Sequence, residues 1–244
     1  MRLMGEIYKQ IITAQKQGKR LLAILLDPDK VDCDSDTLDR LIGKIALSGA
    51  THIFIGGSLL FNDQQDKIIG ALQEKLMLPI LLFPGNAAHI TNRADGILFL
   101  SLISGRNPEY LIGQHVQAAP LLKQSGLEVI STGYILIESG KQTTVSYISG
   151  TTPVPNDKPE IAVATALAGE MIGHKMIYLE AGSGAQLPVP LEMVRLVSEN
   201  IDIPLIVGGG IRSKVHMEQV YQAGATMVVI GTAFEKDVNF FSDL

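Results

Sequence analysis

The chain has 244 residues, of which 46% are hydrophobic, with a formal net charge of −5 and a single cysteine. The negative charge argues against nucleic-acid binding, and the lone Cys33 excludes an internal disulfide framework and a cysteine metal cluster. The apolar runs are too short to span a bilayer and residues 1–6 hold no apolar signal core, so we expect one cytoplasmic domain over residues 1–244.

Eight short apolar segments recur along the chain, with room for helices between most of them. They predict β-strands at residues 21–26, 52–55, 79–83, 96–100, 129–137, 176–179, 205–207 and 227–230. Most are continuous runs of Val, Ile and Leu, as expected for parallel strands buried on both faces. A helix over about residues 5–17 would precede them and cover the bottom of the fold. Eight strands alternating with helices predict an α/β fold, a (β/α)8 TIM barrel.

The helical connections are irregular at two places. Only residues 84–95 separate the third and fourth strands, and Pro84, Gly85 and Asn86 interrupt that segment, so we predict a shortened third βα unit and an open barrel wall. Residues 161–168 are almost entirely apolar, whereas a barrel helix usually keeps one polar face. This favours a homo-oligomer with the helix at a subunit interface, although an Ala-rich helix under a loop would give the same pattern.

Polar residues follow the first two predicted strands, at the end of a barrel where active sites lie. Asp27 comes directly after an apolar run, and Pro28 restricts it to extended geometry. A carboxylate at the rim of the core is costly unless it is paired or binds a cation, although Asp-Pro-Asp is also ordinary turn sequence. Ser58, which follows Gly56 and Gly57, could be a second oxygen ligand or a cap for the next helix.

The sixth predicted strand carries the strongest candidate for catalysis. Side chains alternate along a strand, so Tyr178 and Glu180 share one face and Leu179 lies on the other. A carboxylate at this depth is rarely present for stability, and Glu180 suits a general base with Tyr178 hydrogen-bonding the same substrate. An ion pair of Glu180 with Arg212 or a lysine is the structural alternative.

Glycine-rich turns follow the last three predicted strands. Glycine lets the backbone approach an anion closely, and N–H groups at helix starts bind its oxygens. The turns read Gly182-Ser183-Gly184, Gly208-Gly209-Gly210 and Gly231-Thr232. Turns of this kind after the last two strands of a barrel bind phosphate, which predicts a phosphate-bearing ligand.

Five segments together resemble the geranylgeranylglyceryl phosphate synthase / heptaprenylglyceryl phosphate synthase family, in particular its group II branch. They are Leu26-Asp27-Pro28-Asp29-Lys30, Gly56-Gly57-Ser58, Tyr178-Leu179-Glu180-Ala181-Gly182-Ser183-Gly184, Gly208-Gly209-Gly210-Ile211-Arg212 and Gly231-Thr232. The resemblance runs from the first strand to the last. The first and third segments are specific to the family, whereas the glycine turns are shared with many phosphate-binding barrels.

The resemblance implies a prenyltransferase that joins the 3-hydroxyl of sn-glycerol 1-phosphate to a prenyl diphosphate such as geranylgeranyl diphosphate. Pyrophosphate is released with Mg2+ present, and the ether-lipid product is expected to pass to the membrane. By family role, Asp27 and Ser58 would bind Mg2+, and Glu180 beside Tyr178 would accept the hydroxyl proton. The implied glycerol-phosphate site comprises Tyr178, Leu179, Glu180, Ala181, Gly182, Ser183, Gly184, Gly209, Gly210, Gly231 and Thr232.

Two other functions fit part of the pattern. A phosphate-binding isomerase or lyase would share the last two glycine turns. Such enzymes usually carry an acid–base pair on strands one and five, and the fifth strand offers no obvious partner for Asp27. A non-catalytic barrel that binds a phosphate ligand would need the glycine turns without Asp27 or Glu180.

Overall fold

A computed structural model describes residues 5–236 and residue 240. Eight parallel strands form a closed barrel in chain order, and the last strand pairs with the first. The strands are β1 (Leu21–Leu26), β2 (His52–Ile55), β3 (Ile80–Leu82), β4 (Gly96–Leu102), β5 (Glu128–Leu136), β6 (Met176–Glu180), β7 (Leu205–Gly208) and β8 (Met227–Ile230). The predicted TIM barrel is therefore confirmed, and each predicted strand ends within two residues of the observed one.

Helices surround the barrel and close one end of it. They are α1 (Glu6–Lys16), α2 (Ser35–Leu47), α3 (Gln65–Lys75), α4 (Gln114–Gln124), α5 (Thr144–Ser149), α6 (Pro159–Met171), α7 (Leu191–Asn200), α8 (Lys214–Gln222) and α9 (Thr232–Lys236). Their apolar faces cover the outside of the barrel, as Leu38, Ile42 and Ile45 of α2 do. Across the described ranges, no helix combines the length and apolar character needed to cross a membrane.

Buried side chains of the strands form two layers, because successive residues point to opposite faces. Ile24 and Ile177 belong to the layer between strands and helices, whereas Phe54 and Tyr178 belong to the layer inside the barrel. Residues of α1, among them Ile11, complete the inner layer from below. The interior is thus filled by side chains at the bottom, which leaves the other end available for a ligand.

Glu128 at the start of β5 holds α1 against the bottom of the barrel. Its carboxylate accepts hydrogen bonds from the main-chain N–H groups of Ile7, at 2.9 Å, and Tyr8, at 2.8 Å. The first N–H groups of a helix have no partner within the helix, and a negative charge there also interacts favourably with the helix dipole. Glu128 therefore caps a helix that is remote from it in sequence.

The connection between β3 and β4 is short, as predicted. A 3-10 turn at Ala87–His89 stands where the other units have a helix, and the Asn86 side chain caps it by accepting from Ala88 N. The following connection starts with one π-helical turn, Glu109–Gly113, and continues into α4. The shortened third βα unit is confirmed. The predicted open wall is wrong for the sheet, because β3 pairs with β4, and only the outer helical layer is thin on this side.

Candidate active site

A cavity of about 750 Å3 opens at the C-terminal ends of the strands. Most of the predicted site residues line it, namely Asp27, Ser58, Tyr178, Glu180, Gly182, Ser183, Gly184, Gly209, Gly210, Gly231 and Thr232. Leu179 and Ala181 differ, because their side chains are fully buried in the layer that faces the helices. The alternation along β6 thus directs two members of the predicted set away from the cavity.

Glu180 is a buried carboxylate at the cavity wall. Its Oε1 accepts a hydrogen bond of 2.6 Å from Gly182 N. Burial raises the pKa of Glu180 to about 7, and interactions with Tyr178 and the Gly182 amide oppose that rise. Within the described chain Glu180 makes no ion pair. Arg212, one of the predicted partners, donates instead to the carbonyl of Ala185 at 2.5 Å. The alternative interpretation of Glu180, an ion pair with Arg212 or a lysine, is therefore not supported.

Two glycines of the turn after β7 make room for these catalytic candidates. A Cβ atom at Gly208 would overlap the Tyr178 hydroxyl and lie 3.0 Å from Glu180 Oε2. Gly209 has a φ of +81°, and a Cβ atom there would overlap Glu180 Oε1. Because any larger residue would displace the carboxylate, this turn determines the position of Glu180 in addition to lining the cavity. The phosphate-turn pattern in the sequence did not indicate this second role.

Three aromatic rings lie beside Glu180. The centroid of Phe83 is 6.0 Å from that of Tyr134 and 5.6 Å from that of Tyr178, and the two tyrosine centroids are 5.4 Å apart. Burial and the Glu180 charge raise the pKa of both tyrosines well above the ordinary value, so their hydroxyls remain protonated donors. The Tyr178 hydroxyl lies against the Glu180 carboxylate and helps to lower its pKa, so the two groups line the cavity as a pair.

The glycine turns are brought together by the closure of the barrel. The hydroxyls of Ser183, after β6, and Thr232, after β8, lie 3.2 Å apart. Lys141 comes from the loop after β5, and its Nζ lies 3.5 Å from the position of a Cβ atom at Gly184. A cation thus stands next to a turn predicted to bind an anion. No local sequence signal identified Lys141, because its neighbourhood is created by the fold.

Asp27 lies on the other side of the cavity within a small charged cluster. Its Oδ1 accepts from Asp29 N at 3.2 Å, and its Oδ2 lies 2.8 Å from Lys30 Nζ. Glu235 of α9 contributes a second carboxylate, with Oε2 3.3 Å from Lys30 Nζ and Oε1 accepting from Asp27 N at 3.3 Å. The attraction of the two carboxylates outweighs burial and raises the pKa of Lys30. Sequence patterns did not reveal Glu235.

Gly57 lies between the Asp27 carboxylate and Ser58, the second predicted metal ligand. A Cβ atom at Gly57 would lie 3.4 Å from Asp27 Cγ, so the carboxylate packs directly on the turn that carries Ser58. Residues 5–236 and 240 contain no group of three or more His, Cys, Asp or Glu side chains arranged to hold a metal ion. A cation at Asp27 would therefore take further ligands from a substrate.

An apolar groove adjoins the cavity beneath the short third unit. It shares Gly57, Ser58, Phe83, Tyr134 and Val145 with the cavity. The remaining wall is mostly hydrophobic and includes Pro84, Ala87, Ile90, Ile97, Phe99, Tyr110, Ala118 and Ile148. An extended apolar group can thus reach the polar cavity from the side of the barrel that lacks a full helix.

Comparisons with known proteins agree in family and fold. A model of the PcrB family matches residues 18–243. The chain is 55% identical over 240 residues to a geranylgeranylglyceryl phosphate synthase of Flavobacterium johnsoniae, covering 98% of both chains. It is 48% identical over 227 residues to a protein of the same name from Spirosoma linguale, covering 93% of this chain and 90% of that one.

A solved structure supports the same relationship. It is (S)-3-O-geranylgeranylglyceryl phosphate synthase from Thermoplasma acidophilum in complex with its substrate sn-glycerol-1-phosphate. The TM-score is 0.90 at 31% sequence identity, and the match covers 99% of this chain and 95% of that one.

Proposed function

This chain belongs to the PcrB family, and from that membership we propose that it is a prenyltransferase of the geranylgeranylglyceryl phosphate synthase type. It joins the 3-hydroxyl of sn-glycerol 1-phosphate to C1 of a long-chain prenyl diphosphate and releases pyrophosphate. One observation carries this proposal: a buried carboxylate with a pKa of about 7, Glu180, lies between phosphate-type glycine turns and aromatic rings that border an apolar groove.

The acceptor binds at the ends of the last three strands. The turns at Gly182–Gly184, Gly209–Gly210 and Gly231–Thr232 offer main-chain N–H groups and two hydroxyls to its phosphate. The Thermoplasma relative, whose structure contains sn-glycerol-1-phosphate, supports this assignment. A phosphate held there fixes the rest of a molecule as small as glycerol, which places its hydroxyl for reaction.

Glu180 is the general base. As the acceptor oxygen forms its bond to C1, the bond from C1 to the diphosphate breaks, and the hydroxyl proton passes to the Glu180 carboxylate. Tyr178 donates a hydrogen bond that orients the acceptor, since its hydroxyl stays protonated and lines the cavity beside Glu180. Leu179 and Ala181 contribute through their main chain, because their side chains face the helices.

The donor diphosphate binds on the opposite side, near Asp27 and Ser58. These residues fit Mg2+, because the Asp27 carboxylate faces the cavity, already attracts the ammonium group of Lys30, and lies against the Ser58 turn. Mg2+ in such sites usually has one or two carboxylate ligands and completes its shell with substrate phosphate oxygens. When bound, it would offset the negative charge that develops on the departing pyrophosphate.

The prenyl chain occupies the apolar groove under the short third unit. Its walls are hydrophobic, and Phe83 and Tyr134 line both the groove and the cavity. We take geranylgeranyl diphosphate as the donor, with longer prenyl diphosphates as the alternative.

We further propose that residues 1–244 form one catalytic domain that acts in the cytoplasm as a homo-oligomer and passes its lipid product to the membrane. Helix α6 is the proposed subunit contact, because Met171 at its end is 81% exposed and Ile161 near its start is also exposed. Size-exclusion chromatography with light scattering tests the oligomer. A strict monomer at micromolar concentration would contradict it.

An assay with defined substrates tests the function directly. Purified protein is incubated with Mg2+, sn-glycerol 1-phosphate and prenyl diphosphates of increasing length, and the products are identified by mass. We expect a prenyl ether of glycerol phosphate, with equimolar pyrophosphate, and much less product from the enantiomer sn-glycerol 3-phosphate. No product from any donor would contradict the proposal and favour a non-catalytic phosphate-binding barrel.

A metal titration tests the role of Asp27. Substitution Asp27→Asn removes one negative oxygen, so pyrophosphate binding should require a higher Mg2+ concentration than in the wild type. Asp32→Asn is the matched control, because Asp32 is an exposed carboxylate outside the cavity. An unchanged Mg2+ dependence in Asp27→Asn would refute the metal assignment.

A further inference from the structure

We propose that Lys30 is the cationic residue that binds the diphosphate of the prenyl donor, and that Glu235 positions it. The inference rests on the proposed transferase function and adds two residues to the donor side of the site. Both residues line the cavity, together with Asp27.

Lys30 has the reach and the donors for this role. Its side chain is 47% exposed, whereas those of Asp27 and Glu235 are 19% and 13% exposed. An ammonium group has three N–H donors on a flexible stem, and among the described residues this one contacts two carboxylate oxygens. Lys30 can therefore keep one carboxylate partner and still turn toward an anion in the cavity.

The other cation of the cavity is already engaged elsewhere. Of the described residues that line the cavity, Lys30 and Arg212 are the positively charged ones. Arg212 donates to the carbonyl of Ala185, in the turn after β6 on the acceptor side. This leaves Lys30, four residues after the end of β1, as the cation beside Asp27 on the donor side.

Glu235 determines where the ammonium group stands when Asp27 has another partner. Asp27, Asp29 and Glu235 carry three negative charges on this wall of the cavity against the single positive charge of Lys30, so the wall alone repels a diphosphate. A divalent cation at Asp27 would cancel the net negative charge of this wall, and Glu235, whose Oε2 lies 3.3 Å from Lys30 Nζ, would remain as the partner of the ammonium group. Glu235 Oε1 also accepts from Asp27 N, which ties α9 to the loop after β1. Glu235 is thus a positioning residue that acts through Lys30.

Equilibrium binding of inorganic pyrophosphate with Mg2+, measured by isothermal titration calorimetry, tests the pair. We expect Lys30→Gln to raise the dissociation constant at least tenfold and Lys30→Arg to restore most of the affinity. We expect Glu235→Gln to raise it several-fold, and the KM for the prenyl donor to rise more than kcat falls. The affinity for sn-glycerol 1-phosphate should not change in any of these variants.

Lys67→Gln is the matched control, since the Lys67 ammonium also has a hydrogen bond, to the Cys33 carbonyl, but does not line the cavity. Wild-type pyrophosphate affinity in Lys30→Gln, or an equal loss in Lys67→Gln, would overturn the role of Lys30. Wild-type affinity in Glu235→Gln would overturn that of Glu235. These outcomes can be distinguished from failure of the proposed function, because in that case the wild type itself would form no prenyl ether with any donor.

Discussion

Glu180 accepts a 2.6 Å hydrogen bond from the main-chain N–H of Gly182, two residues further along the chain. This contact bends the chain back over the carboxylate at the point where β6 ends, and Gly209 leaves the space that the carboxylate occupies. The Glu180 carboxylate and two of the glycine turns are therefore one packed unit, and a substitution in either turn is expected to change the position of the carboxylate.

The first prediction concerns the pH dependence of catalysis. Only the ionised carboxylate accepts a proton, and the pKa of Glu180 is about 7. We expect kcat/KM to fall as the pH drops below about 7, and Glu180→Gln to reduce kcat by roughly two orders of magnitude or more. Steady-state kinetics between pH 5.5 and 9 check this. Glu138→Gln, which alters an exposed carboxylate outside the cavity, should leave the profile unchanged.

The second prediction concerns stability. Because the pKa of Glu180 rises from 4.5 in the unfolded chain to about 7 in the fold, the protonated form stabilises the fold below pH 4.5, and that contribution is lost as the pH rises through 7. Glu180→Gln cannot ionise, so above pH 7 it should be more stable than the wild type, by up to about 3 kcal/mol. Urea unfolding of both proteins across this range measures the difference. A difference independent of pH would contradict the explanation.

The third prediction separates close packing from backbone strain. Gly209→Ala places a Cβ atom against Glu180 Oε1. Gly49→Ala is the control, because Gly49 also has a positive φ, +74°, but a Cβ atom there would have no other atom within 4 Å. Both substitutions should cost roughly 1 kcal/mol or more of unfolding free energy. Only Gly209→Ala should also lower kcat, by at least about tenfold, because it moves the base. Equal kcat values in the two folded variants would show that Gly209 does not position Glu180.

The fourth prediction concerns the bottom of the barrel. Glu128→Gln weakens two hydrogen bonds to the N-terminus of α1 and removes a favourable charge. We expect a loss of about 1–2 kcal/mol in unfolding free energy. The kcat should stay at the wild-type value, since the cavity lies at the other end of the strands. Glu160→Gln, at an exposed position in the first turn of α6, is the control and should cost much less unfolding free energy.

The fifth prediction concerns the groove. Ala87 lines it, whereas the neighbouring Ala88 in the same 3-10 turn is exposed and does not. Ala87→Phe should narrow the groove and shift the preferred donor to a shorter prenyl chain, with activity on short donors retained. Ala88→Phe should keep the wild-type preference. Product masses from competing prenyl diphosphates report the outcome, and an unchanged preference in Ala87→Phe would count against the groove.

Local sequence patterns predicted much of the fold and part of the candidate site. The apolar runs and the breaks between them indicated eight strands, the helix before β1 and the short unit after β3, because burial and turn chemistry act over a few neighbouring residues. Alternation along β6 placed Tyr178 and Glu180 on one face correctly, and it also explains why the side chains of Leu179 and Ala181 point away.

What the sequence could not provide were the contacts between loops that are far apart along the chain. Lys141 beside Gly184 and the space that Gly208 leaves for Tyr178 arise where β6 pairs with β5 and β7, and the contacts of Glu235 with Lys30 and Asp27 arise where β8 pairs with β1. The sequence by itself determined the strands, their order and the chemical groups at their ends. Only the tertiary structure decided which of those groups meet, because their distances and burial depend on closure rather than on neighbouring residues.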